Sequence, residues 1–131
     1  MSEYTEFLDT KRIISLSHGR DVSLDEIHPM LFPFQKDVTR WACAKGRAAV
    51  FLTTGAGKTL IQLEVARLWG ERTIIIAPLS VARQTVREGR KIDVDVKYIR
   101  SMAEVDDEHQ IFITNYEMID TLDPSQFGTI I

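Results

Sequence analysis

Apolar residues along the chain fall into two patterns, and the alternation between them predicts the architecture. Uninterrupted β-branched runs such as Thr73-Ile74-Ile75-Ile76-Ala77 read as strands buried on both faces. Segments with an apolar residue every three or four positions read as amphipathic helices. Tyr4, Phe7 and Leu8 give a short helix over Ser2 to Asp9, and Arg12 to Leu16 alternates as a short strand. Val22 to Ile27 leads to His28-Pro29, where proline blocks helix continuation. A helix then starts near Pro33, with Phe34, Val38, Trp41 and Ala42 on its inner face, and stops at Gly46. Arg47 to Leu52 reads as a short apolar strand. Lys58 to Trp69 reads as the helix behind it, with Leu60, Ile61, Val65, Leu68 and Trp69 inward and Gly70 as stop. After Thr73–Ala77, Ser80 caps a helix to about Arg87 that Gly89 closes. Val94 to Ile99 alternates as a strand, Met102 to Val105 forms a helical turn, and Gln110 to Thr114 forms another strand. A turn at Asp123-Pro124-Ser125 precedes a last strand, Gly128 to Ile131. Strands alternating with helices predict an α/β fold, three layers (α/β/α) around a mostly parallel sheet.

Composition narrows the class without changing that picture. A chain of 131 residues that is 44% hydrophobic and 27% charged is an ordinary globular domain or part of one. Its formal net charge of −3 supplies no overall basic field, so contact with a polyanion must come from a local patch. The single cysteine, Cys43, excludes an internal disulfide and, set among alanines, reads as a buried thiol. No apolar run approaches membrane-spanning length, and the polar start Met1 to Glu6 does not read as a signal peptide, so a cytoplasmic location is expected. His18, His28 and His109 lack metal-ligand spacing.

The stretch Thr53-Thr54-Gly55-Ala56-Gly57-Lys58-Thr59 carries the chemistry. A tight turn from a strand into a helix aims backbone N–H groups into a concavity at the positive end of the helix dipole, where phosphate oxygens are held. Gly55 and Gly57 supply the backbone angles and the close approach, Lys58 reaches the β- and γ-phosphates, and the Thr59 hydroxyl sits on Mg²⁺. The strict phosphate-loop pattern places a glycine five residues before Gly57, and this chain has Leu52 there.

With the loop placed, four stretches together resemble the first motor domain of superfamily-two helicases, closest to the Swi/Snf-like and bacteriophage types. They are Ile27 to Gln35, Gly46 to Thr59, Ile76 to Gln84 and Ile113 to Met118. The resemblance implies a RecA-like P-loop NTPase fold for residues 1–131, with 1–26 as an N-terminal extension. It makes Gln35 the reader of the adenine edge, a task that suits a primary amide because it offers donor and acceptor together. Thr54, Gly55, Ala56, Gly57, Lys58 and Thr59 become the ATP and Mg²⁺ contacts, with Lys58 and Thr59 serving catalysis. Phe32 and Phe34 border the base or pack the helix, and Arg40 is a weaker candidate for a nucleotide contact. Pro78, Ser80 and Arg83, with Thr114, Asn115 and Tyr116, become the contacts to a DNA or RNA backbone. Arg83, Arg87, Arg90 and Lys91 form a basic run whose plainer reading is a solvated helix face.

Asp25-Glu26-Ile27-His28 looks like the acidic, Mg²⁺-holding signature of such motors, but it precedes the phosphate loop and no apolar strand delivers it, so surface carboxylates are expected. By the same resemblance, the metal-holding carboxylates follow the strand that begins at Phe127, and an arginine of a second motor domain completes the site. On this reading the 131 residues lack a central strand, are marginally stable or self-associating with the last strand poorly held, and bind ATP without hydrolysing it. The function implied is an ATP-dependent DNA helicase or translocase. A small-molecule or nucleotide kinase and a free-standing nucleotide-binding regulatory module share the loop and stay open.

Overall fold

A computed structural model describes residues 2–11 and 16–131. The helices are α1 (Glu3–Lys11), α2 (Pro33–Lys45), α3 (Lys58–Trp69) and α4 (Leu79–Lys91). The strands are β1 (Thr73–Ala77), β2 (Val96–Tyr98), β3 (Ile111–Asn115) and β4 (Thr129–Ile130). Among the described residues these strands make one sheet in the order β2-β3-β1-β4, and all three pairings are parallel. The expected α/β class with a parallel sheet is therefore present. Most of the expected strand at Arg12 to Leu16 lies outside the described residues.

Two faces of the sheet make two cores. Ile75 and Ala77 of β1 and Ile111 and Ile113 of β3 face a helical layer that contributes Leu63, Ala66 and Leu68 of α3 and Ala82 of α4. Their neighbours Ile74 and Phe112 point the other way and pack with Ile99 and Phe127, joined by Met102, Val105 and Leu122 from loops and single 3₁₀ turns. Adjacent side chains therefore enter opposite cores, which is why β1 and β3 carry no polar alternation.

Two helix boundaries depart from the sequence reading. Helix α4 begins one residue after Pro78 and continues through Gly89 to Lys91. Gly89 is buried, and a Cβ there would lie 2.5 Å from the carbonyl oxygen of Val94. It is thus a close-approach residue, where the returning chain crosses the helix, and not a stop. In α2 the buried positions are Gln35, Thr39, Ala42 and Cys43, whereas Phe34 and Trp41 are 46% exposed. The helix is rotated so that its small and polar residues meet α3. Its last carbonyls do not go unsatisfied: the N–H groups of His18, Gly19 and Arg20 donate to the oxygens of Lys45, Ala44 and Cys43 at 3.0, 3.0 and 2.8 Å. Burial pushes the Cys43 thiol up to about 11, so it is an inert packing group at neutral pH. Helix α1 forms where Tyr4, Phe7 and Leu8 predict it, but all three are exposed.

The largest correction concerns Arg47 to Leu52, which is not a strand. Residues 47–53 have no regular structure, and Phe51 is 91% exposed. A strand needs a ladder partner, and none of the described strands runs beside this segment. A cleft of about 1010 Å³ lies between Gly46–Val50 and Gly128–Ile131, floored by Ile61, Val65 and Trp69 of α3. The last strand borders this cleft on one side and is held on the other. The Ile131 N–H donates to the Ile74 oxygen at 3.0 Å, and the Ile76 N–H to the Ile131 oxygen at 2.8 Å.

Candidate functional site

Helix α3 runs back toward the start of β1 through a three-residue turn, so it packs antiparallel to that strand. Its 12 residues span about 18 Å, close to the length of a five-residue strand. Its N-terminus therefore lies at the carboxyl-terminal edge of the sheet, the edge where ligands bind in open parallel sheets.

At that N-terminus Gly55 and Gly57 have φ of 82° and 76°, the left-handed region that favours glycine. The turn is closed by the Ala56 N–H donating to the Thr53 oxygen at 3.2 Å. Gly57 is the residue immediately before α3, and Lys58 is its first helical residue. The Lys58 ammonium donates to the Leu52 oxygen at 2.9 Å, so it folds back across the loop's own mouth. Thr54 and Gly55 are exposed, whereas Ala56, Gly57 and Thr59 are half-buried. The arrangement offers a positive helix end, one ammonium and one hydroxyl to an anion.

Gln35 sits against this loop. Its Nε2 donates to the Ala56 oxygen at 3.1 Å, and its Oε1 accepts the Phe32 N–H at 2.8 Å, which also caps α2. A Cβ on Gly57 would lie 2.1 Å from Nε2, so only glycine lets the amide this close to the loop. A primary amide has two donors and two acceptor lone pairs, and one of each lies outside these bonds, although Gln35 as a whole is only 3% exposed and is largely covered by the loop. Phe32 and Phe34 stack at 6.4 Å beside it with their rings 14° apart, and they are 66% and 46% exposed. They are not core packing. Arg40 is exposed.

A second cluster holds the segment before Gln35 to α3, and the sequence reading missed it. Glu64 is fully buried, accepts the His28 N–H at 3.0 Å and is gripped by both Nε and Nη2 of Arg67. Arg67 Nη2 also donates to the Glu26 oxygen at 2.7 Å, and the carboxylate partner holds the guanidinium above its usual range. A buried carboxylate stripped of such a partner costs about 3–5 kcal/mol, so the pair acts as one unit. Glu64 falls at helical spacing between Ile61 and Leu68 on the buried face, and Arg67 follows three residues later. That was the available signal. Asp25 and Glu26 are exposed, and Glu26 is occupied by Arg20 and by the Ser23 N–H.

The other candidate contacts divide into open and closed. Register pairs Ala77 with Asn115, so Pro78 and Tyr116 leave the sheet at the same edge. Pro78, Ser80 and Arg83 are exposed, as is Tyr116 at 56%. Thr114 is fully buried and its hydroxyl donates to the Ile99 oxygen at 2.8 Å, which removes it from any surface contact. Asn115 is nearly buried, accepts the Tyr98 hydroxyl at 2.6 Å and donates to Glu117. That bond holds the Glu117 carboxyl below its usual range. Thr114 and Asn115 thus shape the edge from beneath, and Tyr116 alone of the three projects from it. Among the described residues no three His, Cys, Asp or Glu side chains converge as metal ligands.

No protein-family model and no curated protein matches the chain. A solved structure does. The crystal structure of the UvsW helicase from bacteriophage T4 superposes with a TM-score of 0.69 at 18% identity, over 98% of this chain and 58% of that one. At that identity the likeness carries the fold alone: a helicase-like α/β unit with a parallel sheet. The chain spans little more than half the length of the helicase it matches. No helix among the described residues is long and apolar enough to cross a membrane.

Proposed function

We propose that this chain is the ATP-binding part of a helicase or translocase, a protein that couples ATP hydrolysis to movement on DNA or RNA. The observation that carries the reading is the loop Thr53 to Thr59. Two left-handed glycines open a helix at the ligand-binding edge, Lys58 is the first helical residue, and the Gln35 amide lies against the loop. Triphosphate oxygens would take the loop N–H groups and the Lys58 ammonium in place of the Leu52 carbonyl. The Thr59 hydroxyl would hold Mg²⁺, which would supply charge neutralisation at the γ-phosphate when bound. The remaining donor and acceptor of Gln35 suit the adenine edge, with Phe32 and Phe34 beside it. Pro78, Ser80, Arg83 and Tyr116 share that edge and suit a sugar-phosphate backbone without base readout.

The test is titration calorimetry of Mg·ATP against the wild-type chain, followed by ATP turnover with and without DNA. Binding of ATP with little turnover is the expected result. DNA-stimulated hydrolysis by these residues alone would move the catalytic carboxylates to Asp25 and Glu26 or to Asp106 to Glu108. No ATP binding would remove the reading.

A further inference from the structure

The hydrogen bonds around α3 form a closed circuit. From Ala56 it runs along α3 to Glu64 and Arg67, crosses to Glu26 and His28, follows the chain to Phe32, and returns through Gln35 to Ala56. The chain between is itself pinned: Ile27 and Leu31 are buried at 3% exposure, and the Leu31 N–H donates to the His28 oxygen at 3.2 Å. Along this circuit the Phe32 N–H can be satisfied only by Oε1 of Gln35, and the Ala56 carbonyl only by Nε2. The two bonds together fix which way the amide faces.

That orientation decides which base it can read. Adenine offers an amino donor where guanine offers a carbonyl acceptor, so a fixed amide complements one and repels the other, and a flipped amide reverses the preference. We infer that Glu64 and Arg67 are positioning residues for purine selectivity, holding the Glu26–Phe32 segment so that Gln35 cannot turn over. They do this from further along α3, through the Glu26–His28 backbone, without bonding to Gln35 itself. The inference rests on the nucleotide reading above and adds to it a place where selectivity is set apart from phosphate grip.

The experiment measures affinities of the wild-type chain, Glu64→Gln and Arg67→Gln for Mg·ATP, Mg·GTP and inorganic tripolyphosphate. Ile113→Val, a core change in β3 outside the circuit, controls for lowered stability, and thermal midpoints are read for all four. The wild type should favour ATP over GTP. Glu64→Gln keeps the side-chain shape while weakening the grip of Arg67, and it should narrow that ratio by about twofold to tenfold, the range of one neutral hydrogen bond. Arg67→Gln should do the same where it folds, and tripolyphosphate affinity should stay unchanged in Glu64→Gln. An unchanged ATP-to-GTP ratio in Glu64→Gln overturns the inference, and so does an equal narrowing in Ile113→Val. A wild type that binds both purines equally also overturns it while leaving the triphosphate loop standing. A wild type that binds none of the three ligands overturns the nucleotide reading itself.

Discussion

Two apolar runs of similar length have opposite fates here. Thr73–Ala77 is a strand between two partners, with Ile74 and Ile75 at 1% and 0% exposure. Arg47–Leu52 has no ladder, and Phe51 stands 91% exposed. Local preference does not separate them, because β-propensity chiefly measures fit to neighbours on a pleated surface. The difference lies in what runs alongside. Strand β1 is flanked by β3 and β4, whereas the run before the loop faces a cleft of about 1010 Å³. The well-paired half supplies stability, and the poorly paired half carries the Thr53–Thr59 loop proposed to hold phosphate.

The sharpest way to break this contrast is truncation in each half. Phe112→Ala empties a fully buried ring site that packs edge-on to Phe127 at 6.1 Å, and should cost about 3–5 kcal/mol. Phe51→Ala should stay within about 0.5 kcal/mol. Urea denaturation of both variants checks the pair, and a large loss at Phe51 would mean that the segment is paired in solution.

The exposed half should nonetheless dominate ligand binding. On the proposed reading Lys58→Ala would remove a charge-assisted contact to phosphate worth roughly 1.5–3 kcal/mol, so ATP affinity should fall by tens of times at nearly unchanged stability. Equal calorimetric affinities for the two proteins would contradict the loop's assignment.

A smaller effect is expected where α4 meets the ligand edge. On the proposed reading Arg83→Glu should weaken DNA binding without sequence preference and lower the salt slope by about 1. If affinity and slope both survive the reversal, Arg83 belongs to a solvated face.

The smallest effect concerns the loop before β3. Asp106 accepts Lys97 at 2.7 Å and His109 at 2.9 Å, and His109 also faces Asp95 at 3.2 Å. Lys97 first, then His109, holds the Asp106 carboxyl below its ordinary value of 3.8. A group depressed on folding adds stability above its unfolded value, and this is lost as pH falls through the folded one. Asp106→Asn should therefore flatten the acid side of the thermal-midpoint profile below about pH 4 and narrow the gap to wild type there. Parallel profiles down to the acid limit would show that the carboxylate does not matter.

Much of this molecule follows from local rules. Pro33 and Gly46 bound α2, Gly70 ends α3, and the unbroken run Thr73–Ala77 becomes a doubly buried strand. The glycine-lysine spacing of the loop needs only its own backbone angles and the helix it opens, which is why the amino-acid order alone reveals it. Tertiary structure decided the rest, because each outcome depends on which groups the folded chain brings against a residue, and residue type and spacing alone do not show that. Gly89 lies inside a helix because the Val94 backbone crosses it, and Thr114 is sealed because Ile99 takes its hydroxyl. Glu64 is buried because Arg67 and the His28 N–H compensate its charge. Arg47–Leu52 is not a strand for the complementary reason: its sequence suits a sheet, but no neighbouring strand among the described residues offers it a ladder.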